Sequence, residues 1–221
     1  MARFSRLVVP NHPHHITQRG VRSMDIFADD QNRLTYLQIM AEEAERSGVT
    51  FLSWCLMTNH VHLIAVPEKE NSLARTIGEA HRRYTRMKNF TDNVRGYLFQ
   101  GRFGSCVLDQ QHLLAAGRYV ERNPVAAGMV ESPVDYPWSS AGYHCGRINH
   151  DPLVRERCLP EMVDDWSTFL QTTDEEKDRM IQKKTKTGRP LGGDQFVLHL
   201  ETLSGRQLML KTAGRPRIDR K

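Results

Sequence analysis

The chain has 221 residues, a formal net charge of +5, 39% apolar and 26% charged side chains, and a mean hydropathy of −0.56. That is one domain of ordinary size plus an appendage, large enough to bury a core without disulfide staples. No apolar run approaches the roughly 20 residues that cross a bilayer, so a membrane protein is not expected. The N-terminal MARFSRLVVPNHPHH has too short an apolar stretch for a signal peptide. Cys55, Cys106, Cys145 and Cys158 contain no close pair, which fits neither a zinc knuckle nor a disulfide framework. The expected setting is the reducing cytoplasm.

Charge is unevenly placed. Residues 1–150 carry 17 basic and 14 acidic side chains, residues 151–180 carry 4 and 9, and residues 181–221 carry 10 and 3. With the composition, this divides the chain into a main domain at 1–145, an acidic helical connector at 146–180 and a basic C-terminal tail at 181–221. The tail opens on a linker-like KKTKTGRPLGG. Its charge suits a polyanion partner, or equally a solvated appendage.

In chain order, a strand is expected at about 13–19, in and around HHITQRG. Asp29 or Asp30 can cap a helix with apolar positions at Leu34, Leu37, Ala41 and Ala44, ended by Gly48. Phe51 to Met57 is a strand, Thr58-Asn59 a tight break, and HVHLIAV at 60–66 a second strand. Asn71 or Ser72 caps a helix with Leu73, Ile77, Ala80, Tyr84 and Met87 on one face. GRFGSCVL forms an edge strand. Asp109 opens a further helix, which the following Pro124 is expected to stop near Asn123. The order β-α-β-β-α-β-α is the ferredoxin-like, split-βαβ pattern of an α+β antiparallel sheet with flanking helices. A fold of this kind leaves function open.

Three constellations carry chemistry. On a strand, His60 and His62 project to one side about 6–7 Å apart while Val61 points into the core. Two imidazoles so placed can chelate one divalent ion. An isolated H-x-H is common by chance, and His12, His14 and His15 form a competing cluster. In Tyr119-Val-Glu-Arg-Asn123, residues i and i+4 share a helix face. Leu113, Gly117 and Val120 mark the buried stripe; Tyr119 lies about 120° off it, with Asn123 on the same side. Asn123 offers a neutral oxygen that a hard cation accepts. Tyr84 is a rival nucleophile, but its phase matches the apolar stripe of its own helix. The third constellation runs from 82 to 102. Arg82, Arg83, Arg86, Lys88, Arg95 and Arg102 meet one acid, Asp92, with Tyr84, Phe90, Tyr97, Phe99 and Phe103 among and beside them. Arg and Lys hold phosphates and aromatics stack unpaired bases, so this run favours nucleic acid.

Taken together and in order, HHITQRG (14–20), MTNHVHLI (57–64), FQGRF (99–103), RYVERNPVAAGMV (118–130) and YPWSS (136–140) resemble the REP-associated tyrosine transposases, a branch of the single-tyrosine HUH (IS200-like) transposases. The resemblance covers residues 8 to about 145. It implies a ferredoxin-like fold and cleavage of single-stranded DNA beside imperfect hairpins. It also implies Tyr119 as nucleophile and Mg²⁺ or Mn²⁺ on His60, His62 and Asn123. The partner would be single-stranded or hairpin DNA with REP-like palindromes. A monomer or homodimer is expected, since both motifs lie in one chain. The units Gly188-Arg189-Pro190 and Gly214-Arg215-Pro216 resemble family C-terminal extensions and suggest that Arg189 and Arg215 grip a minor groove. Two other readings remain: a metal-dependent nuclease without a covalent step, and a non-catalytic nucleic-acid-binding protein.

Overall fold

The computed structural model describes residues 6–209. Four strands, β1 (His14–Arg19), β2 (Val49–Leu56), β3 (His60–Pro67) and β4 (Gly104–Val107), form one sheet in the order β2-β3-β1-β4. Every pairing is antiparallel. Helices α1 (Asp30–Ser47) and α2 (Ser72–Thr91) cover one face, and α3 (Gln110–Ala126) lies on the other. This is the ferredoxin-like arrangement. Beyond it come α4 (Ala141–His144), α5 (Trp166–Gln171), α6 (Glu175–Thr187) and α7 (Asp194–Ser204). No helix among the described residues is long and apolar enough to cross a membrane.

Local chemistry explains the boundaries. Asp29 caps α1 by accepting from the Asn32 amide at 2.7 Å, and Asp109 caps α3 by accepting from the His112 amide at 2.8 Å. Gly48 ends α1 at φ +64°, a left-handed position that suits glycine. Two details differ from the sequence pattern. Leu34 is 52% exposed, because the buried stripe of α1 runs through Tyr36, Leu37, Met40 and Ala44 instead. The helix α3 does not stop at Asn123 but carries Pro124 inside its final turn. Proline there forfeits only one backbone bond near the helix end, and Pro124 is buried against the core.

The alternation of the strands divides the core. Ile16, Val61 and Leu63 pack beneath α1 and α2, with Leu73, Ile77, Ala80 and Tyr84 from α2 all fully buried. Cys55, Ile64 and Cys106 face the other way. They meet Leu113, Ala116 and Val120 of α3, Trp166 and Leu170 of α5, and Ile181 of α6. A small third cluster seats Val197 and Leu200 of α7 on Val107, Leu7 and Val9. The segment 181–192 is therefore not a linker. Residues up to Thr187 complete α6, Gly188 caps it, and the Leu191 amide bonds the Val107 carbonyl at 2.9 Å. The boundary expected at 180 falls inside α6.

A buried carboxylate fastens α3 in this layer. Glu121 is fully buried and accepts from Ser53 Oγ (3.1 Å), Ser140 Oγ (2.5 Å), His144 Nδ1 (2.6 Å) and Trp166 Nε1 (2.8 Å). Removing it strands several buried donors at once. Glu121→Ala is expected to lower the free energy of unfolding by about 3–5 kcal/mol, read from urea denaturation of the variant and the parent.

Candidate active site

The site grows from the register of β1 on β3. Thr17 stands opposite His62 and Arg19 opposite His60. Directly opposed residues of an antiparallel pair share a face. So His60, His62, Thr17 and Arg19 emerge together on the α3 side, while Val61 is fully buried under α1 and α2. His15 lies on the same face, one pleat further along β1. The helix α3 then presents Tyr119 edge-on to both rings, 5.4 Å from His62 and 5.7 Å from His15 between centroids. The His60 and His62 rings are 5.0 Å apart.

These groups line one groove of about 770 Å³, together with Asn123, Gln182, Thr185, Arg19, Arg102 and Lys186. No Asp or Glu lines it. Its potential is therefore positive, which suits a phosphate backbone.

The histidines are held neutral. Burial pushes His15 down to about 3. Burial, helped by Arg19, takes His60 to about 4. Burial also takes His62 well below the ordinary value, with His15, His60 and Arg19 adding to the effect. Burial raises the Tyr119 phenol above its usual range, opposed by hydrogen bonding to Gln182 and Asn123. The phenol is thus protonated at neutral pH.

The donors fit a divalent cation. Among the described residues no three His, Cys, Asp or Glu side chains converge, and the Asn123 amide lines the same groove as the histidine pair. Its Nδ2 donates to the Tyr119 carbonyl at 2.8 Å, which leaves Oδ1 as the atom available for a metal. His60 Nδ1 lies 2.7 Å from Asn59 Oδ1, and Asn59 Nδ2 donates to the Ser23 carbonyl at 3.2 Å. The amide oxygen can only accept, so His60 carries its proton on Nδ1 and keeps the Nε2 lone pair.

The competing cluster does not converge. His14 is fully buried on the opposite face, bonded through Nδ1 to the His12 carbonyl and through Nε2 to the Val9 amide. His12 bonds the Pro10 carbonyl. Only His15 reaches the groove. Tyr84 is fully buried, its hydroxyl donating to the Ile26 carbonyl at 2.8 Å.

The basic run divides. Arg83 bridges Glu42 and Glu43, Lys88 pairs with Asp92 at 2.6 Å, and Arg82 pairs with Glu79 at 2.7 Å. Arg82 and Arg86 also line a second pocket of about 750 Å³ with Phe90 and Tyr97, which are 88% and 90% exposed. Arg189 is half-buried and donates to the Leu208 carbonyl at 2.6 Å, so the first Gly-Arg-Pro unit is built into the fold. Arg215 lies outside the described residues. The sequence pattern does not bring Arg19, Gln182, Thr185 and Lys186 to the groove or Asn59 to His60, and it places His15 in a rival cluster. The strand parity of His15 was visible; the register that sets it beside His62 was not.

The ferredoxin-like sheet thus sets a histidine pair on an inner strand, facing a tyrosine across a cationic groove. Residues 8–123, just over half of the chain, match the family described as "Transposase IS200 like", and the chain belongs to that family. No curated protein matches the sequence. Among solved structures, a REP-associated tyrosine transposase bound to a REP hairpin is similar at 15% identity and a TM-score of 0.58, covering 76% of this chain and 96% of that one. A putative transposase from Deinococcus radiodurans matches at 16% identity and a TM-score of 0.38, covering 55% and 97%. The first likeness is one of fold.

Neutral buried histidines make stability depend on pH. The unfolded chain binds protons near pH 6.5 and the folded His15 only near 3, so its contribution is complete above about 6.5 and declines as pH falls toward 3. Urea unfolding between pH 8 and 4 should show this decline. In His15→Gln the slope should be shallower by up to about 1.4 kcal/mol per pH unit.

Proposed function

We propose that this transposase cuts and rejoins single-stranded DNA at the foot of REP-like hairpins, through a covalent bond to Tyr119. The observation that carries this reading is the convergence of His60, His62 and Tyr119, with Asn123, in one groove free of acidic side chains. The hairpin is proposed because the fold relative is described in complex with a REP hairpin.

His60 Nε2, His62 Nε2 and Asn123 Oδ1 would hold a Mg²⁺ or Mn²⁺ ion. When bound, it polarises a non-bridging oxygen of the scissile phosphate. Arg19, Arg102 and Lys186 draw the backbone into the groove and neutralise its charge. Tyr119 Oη attacks phosphorus in line. The bond to the 3′-oxygen breaks, the phenol proton leaves to solvent and the departing oxygen gains one. The product is a 5′-phosphotyrosine and a free 3′-hydroxyl. Another strand's 3′-hydroxyl can reverse the step without ATP, because the phosphotyrosine retains the bond energy. Gln182 and Asn123 favour the phenolate by hydrogen bonding and so offset part of the burial penalty.

Tyr119→Phe should keep hairpin binding and lose the covalent adduct on a denaturing gel with Mn²⁺. His60→Ala should keep hairpin binding measured without metal and, with Mn²⁺, cleave at least about 100-fold more slowly, as loss of charge stabilisation at the phosphate implies. Cleavage without an adduct in the parent would identify a plain nuclease instead.

Phe90 and Tyr97 provide stacking surfaces for unpaired bases beside Arg82 and Arg86. Arg82, Arg83 and Lys88, engaged in ion pairs, contribute less than Arg86. The residues 210–221, with Lys211, Arg215, Arg217, Arg220 and Lys221, supply a basic arm for the hairpin stem. Binding isotherms at several salt concentrations test both parts. Phe90→Ala or Tyr97→Ala should weaken single-strand binding by about 1–3 kcal/mol at each salt. Deleting 210–221 should weaken hairpin binding and make its salt dependence shallower.

A further inference from the structure

A chain of four hydrogen-bonding groups runs from α6 into the groove. Thr185 Oγ1 lies 2.7 Å from the Ile181 carbonyl, an acceptor only, which offers the hydroxyl proton a place to go. The same oxygen lies 2.7 Å from His15 Nδ1 and 3.2 Å from Cys106 Sγ. With its proton directed at the Ile181 carbonyl, the oxygen accepts from His15. His15 then carries its proton on Nδ1. Both rings are buried without a facing carboxylate, so each holds a single proton. His15 Nε2 is then a bare lone pair, and it lies 3.0 Å from His62 Nδ1. In that arrangement His62 donates through Nδ1. Its Nε2 is left unprotonated.

We propose that Thr185 and His15 are positioning residues, which set the tautomer of His62 so that its Nε2 lone pair is presented for metal binding. The proposal rests on the metal reading of the groove given above. It makes α6, which lies beyond the family-matched residues 8–123, part of the site. The stacked His15 and His62 rings, 5.3 Å apart and tilted by 15°, also fix the plane in which that lone pair lies. His60 reaches the same state by a separate route, through Asn59.

Thr185→Val removes the acceptor while preserving shape. The Nδ1–H form of His15 would then bury a donor without a partner, so the ring is expected to move its proton to Nε2 and donate to His62 Nδ1. His62 would be forced to the Nε2–H form, which cannot bind a metal. Thr185→Ser keeps the hydroxyl and should behave like the parent.

Two readouts test this on the full chain. Ring ¹⁵N chemical shifts of the metal-free protein report the tautomers directly. Mn²⁺ titration followed by electron paramagnetic resonance reports affinity without any cleavage assay. The expected result is Nδ1–H at His15 and His62 in the parent and in Thr185→Ser. Thr185→Val should show Nε2–H at both, with Mn²⁺ affinity lower by roughly 10–100-fold. An Nε2–H form of His62 in the parent would overturn the proposal, and it needs no variant to fold. Unchanged tautomers in a folded Thr185→Val protein would overturn it as well, as would unchanged Mn²⁺ affinity beside flipped tautomers. If the parent shows the expected tautomers but takes up no Mn²⁺, the relay stands and the metal reading of the groove fails.

Discussion

Glu121 follows Tyr119 by two positions on α3, with Val120 between them. Successive residues turn about 100° round a helix, so Val120 points down onto the sheet while Tyr119 and Glu121 leave by opposite flanks. Val120 is fully buried. On one flank, Glu121 is held by Ser53 of β2, Ser140, His144 of α4 and Trp166 of α5. On the other, Tyr119 meets His15 and His62 of the two inner strands. A helix gripped on one flank by donors from three separate elements cannot roll. The placement of the phenol against the histidines is therefore set by a carboxylate that never touches the groove. The same contact ties the YPWSS and RYVERNP segments: Ser140 belongs to one, Glu121 to the other, and they bond at 2.5 Å. A buried carboxylate with four donors is costly to assemble, and its return here is orientation rather than net stability.

The extension performs the complementary task on the far side of the groove. The helix α6 lies close to β4, where Gly104 allows the approach; a Cβ there would stand 3.2 Å from the Thr185 carbonyl. The helix brings Thr185 to His15, Gln182 to the phenol and Lys186 to the groove wall. The ferredoxin-like sheet alone would leave His15 without a partner for Nδ1. Residues outside the family-matched core thus complete the polar framework of the histidine pair.

What the sequence disclosed follows the range of the interactions involved. Capping by Asp29 and Asp109, the stop at Gly48, the burial of Val61 and Tyr84 and the sidedness of His60 and His62 are local, and local patterns show them. Tyr119 lying off the buried stripe was legible for the same reason. The place of His15 required the register between β1 and β3, which no spacing encodes. Thr185 required knowing that the Gly-Arg-Pro segment caps a docked helix; its composition resembles a linker because α6 exposes most of its charges to solvent. Leu34 and Pro124 misled for different reasons. The aromatic Tyr36 claimed the core in place of Leu34, and proline near a helix end forfeits too little bonding to stop it.

The charge balance of the groove constrains how its parts must act together. The donors proposed for the ion are all neutral: two imidazoles and one amide. Sites that hold Mg²⁺ ordinarily include one or two carboxylates, and where they do not, substrate phosphate supplies the negative charge. Here Arg19, Arg102 and Lys186 add further positive charge, and no acid lines the wall. Without DNA a divalent ion there meets only neutral donors and positive neighbours, so it binds more weakly than in the DNA complex. A scissile phosphate supplies both the missing negative charge and an oxygen ligand. On this reading the ion and the DNA bind with mutual support, each raising the affinity of the other by the same factor, as linkage demands. The protonated Tyr119 belongs to the same logic. A phenol kept above its ordinary range by burial does not ionise in an empty groove. Arg19 already opposes that burial effect, and on the proposed mechanism ionisation accompanies attack on a bound phosphate.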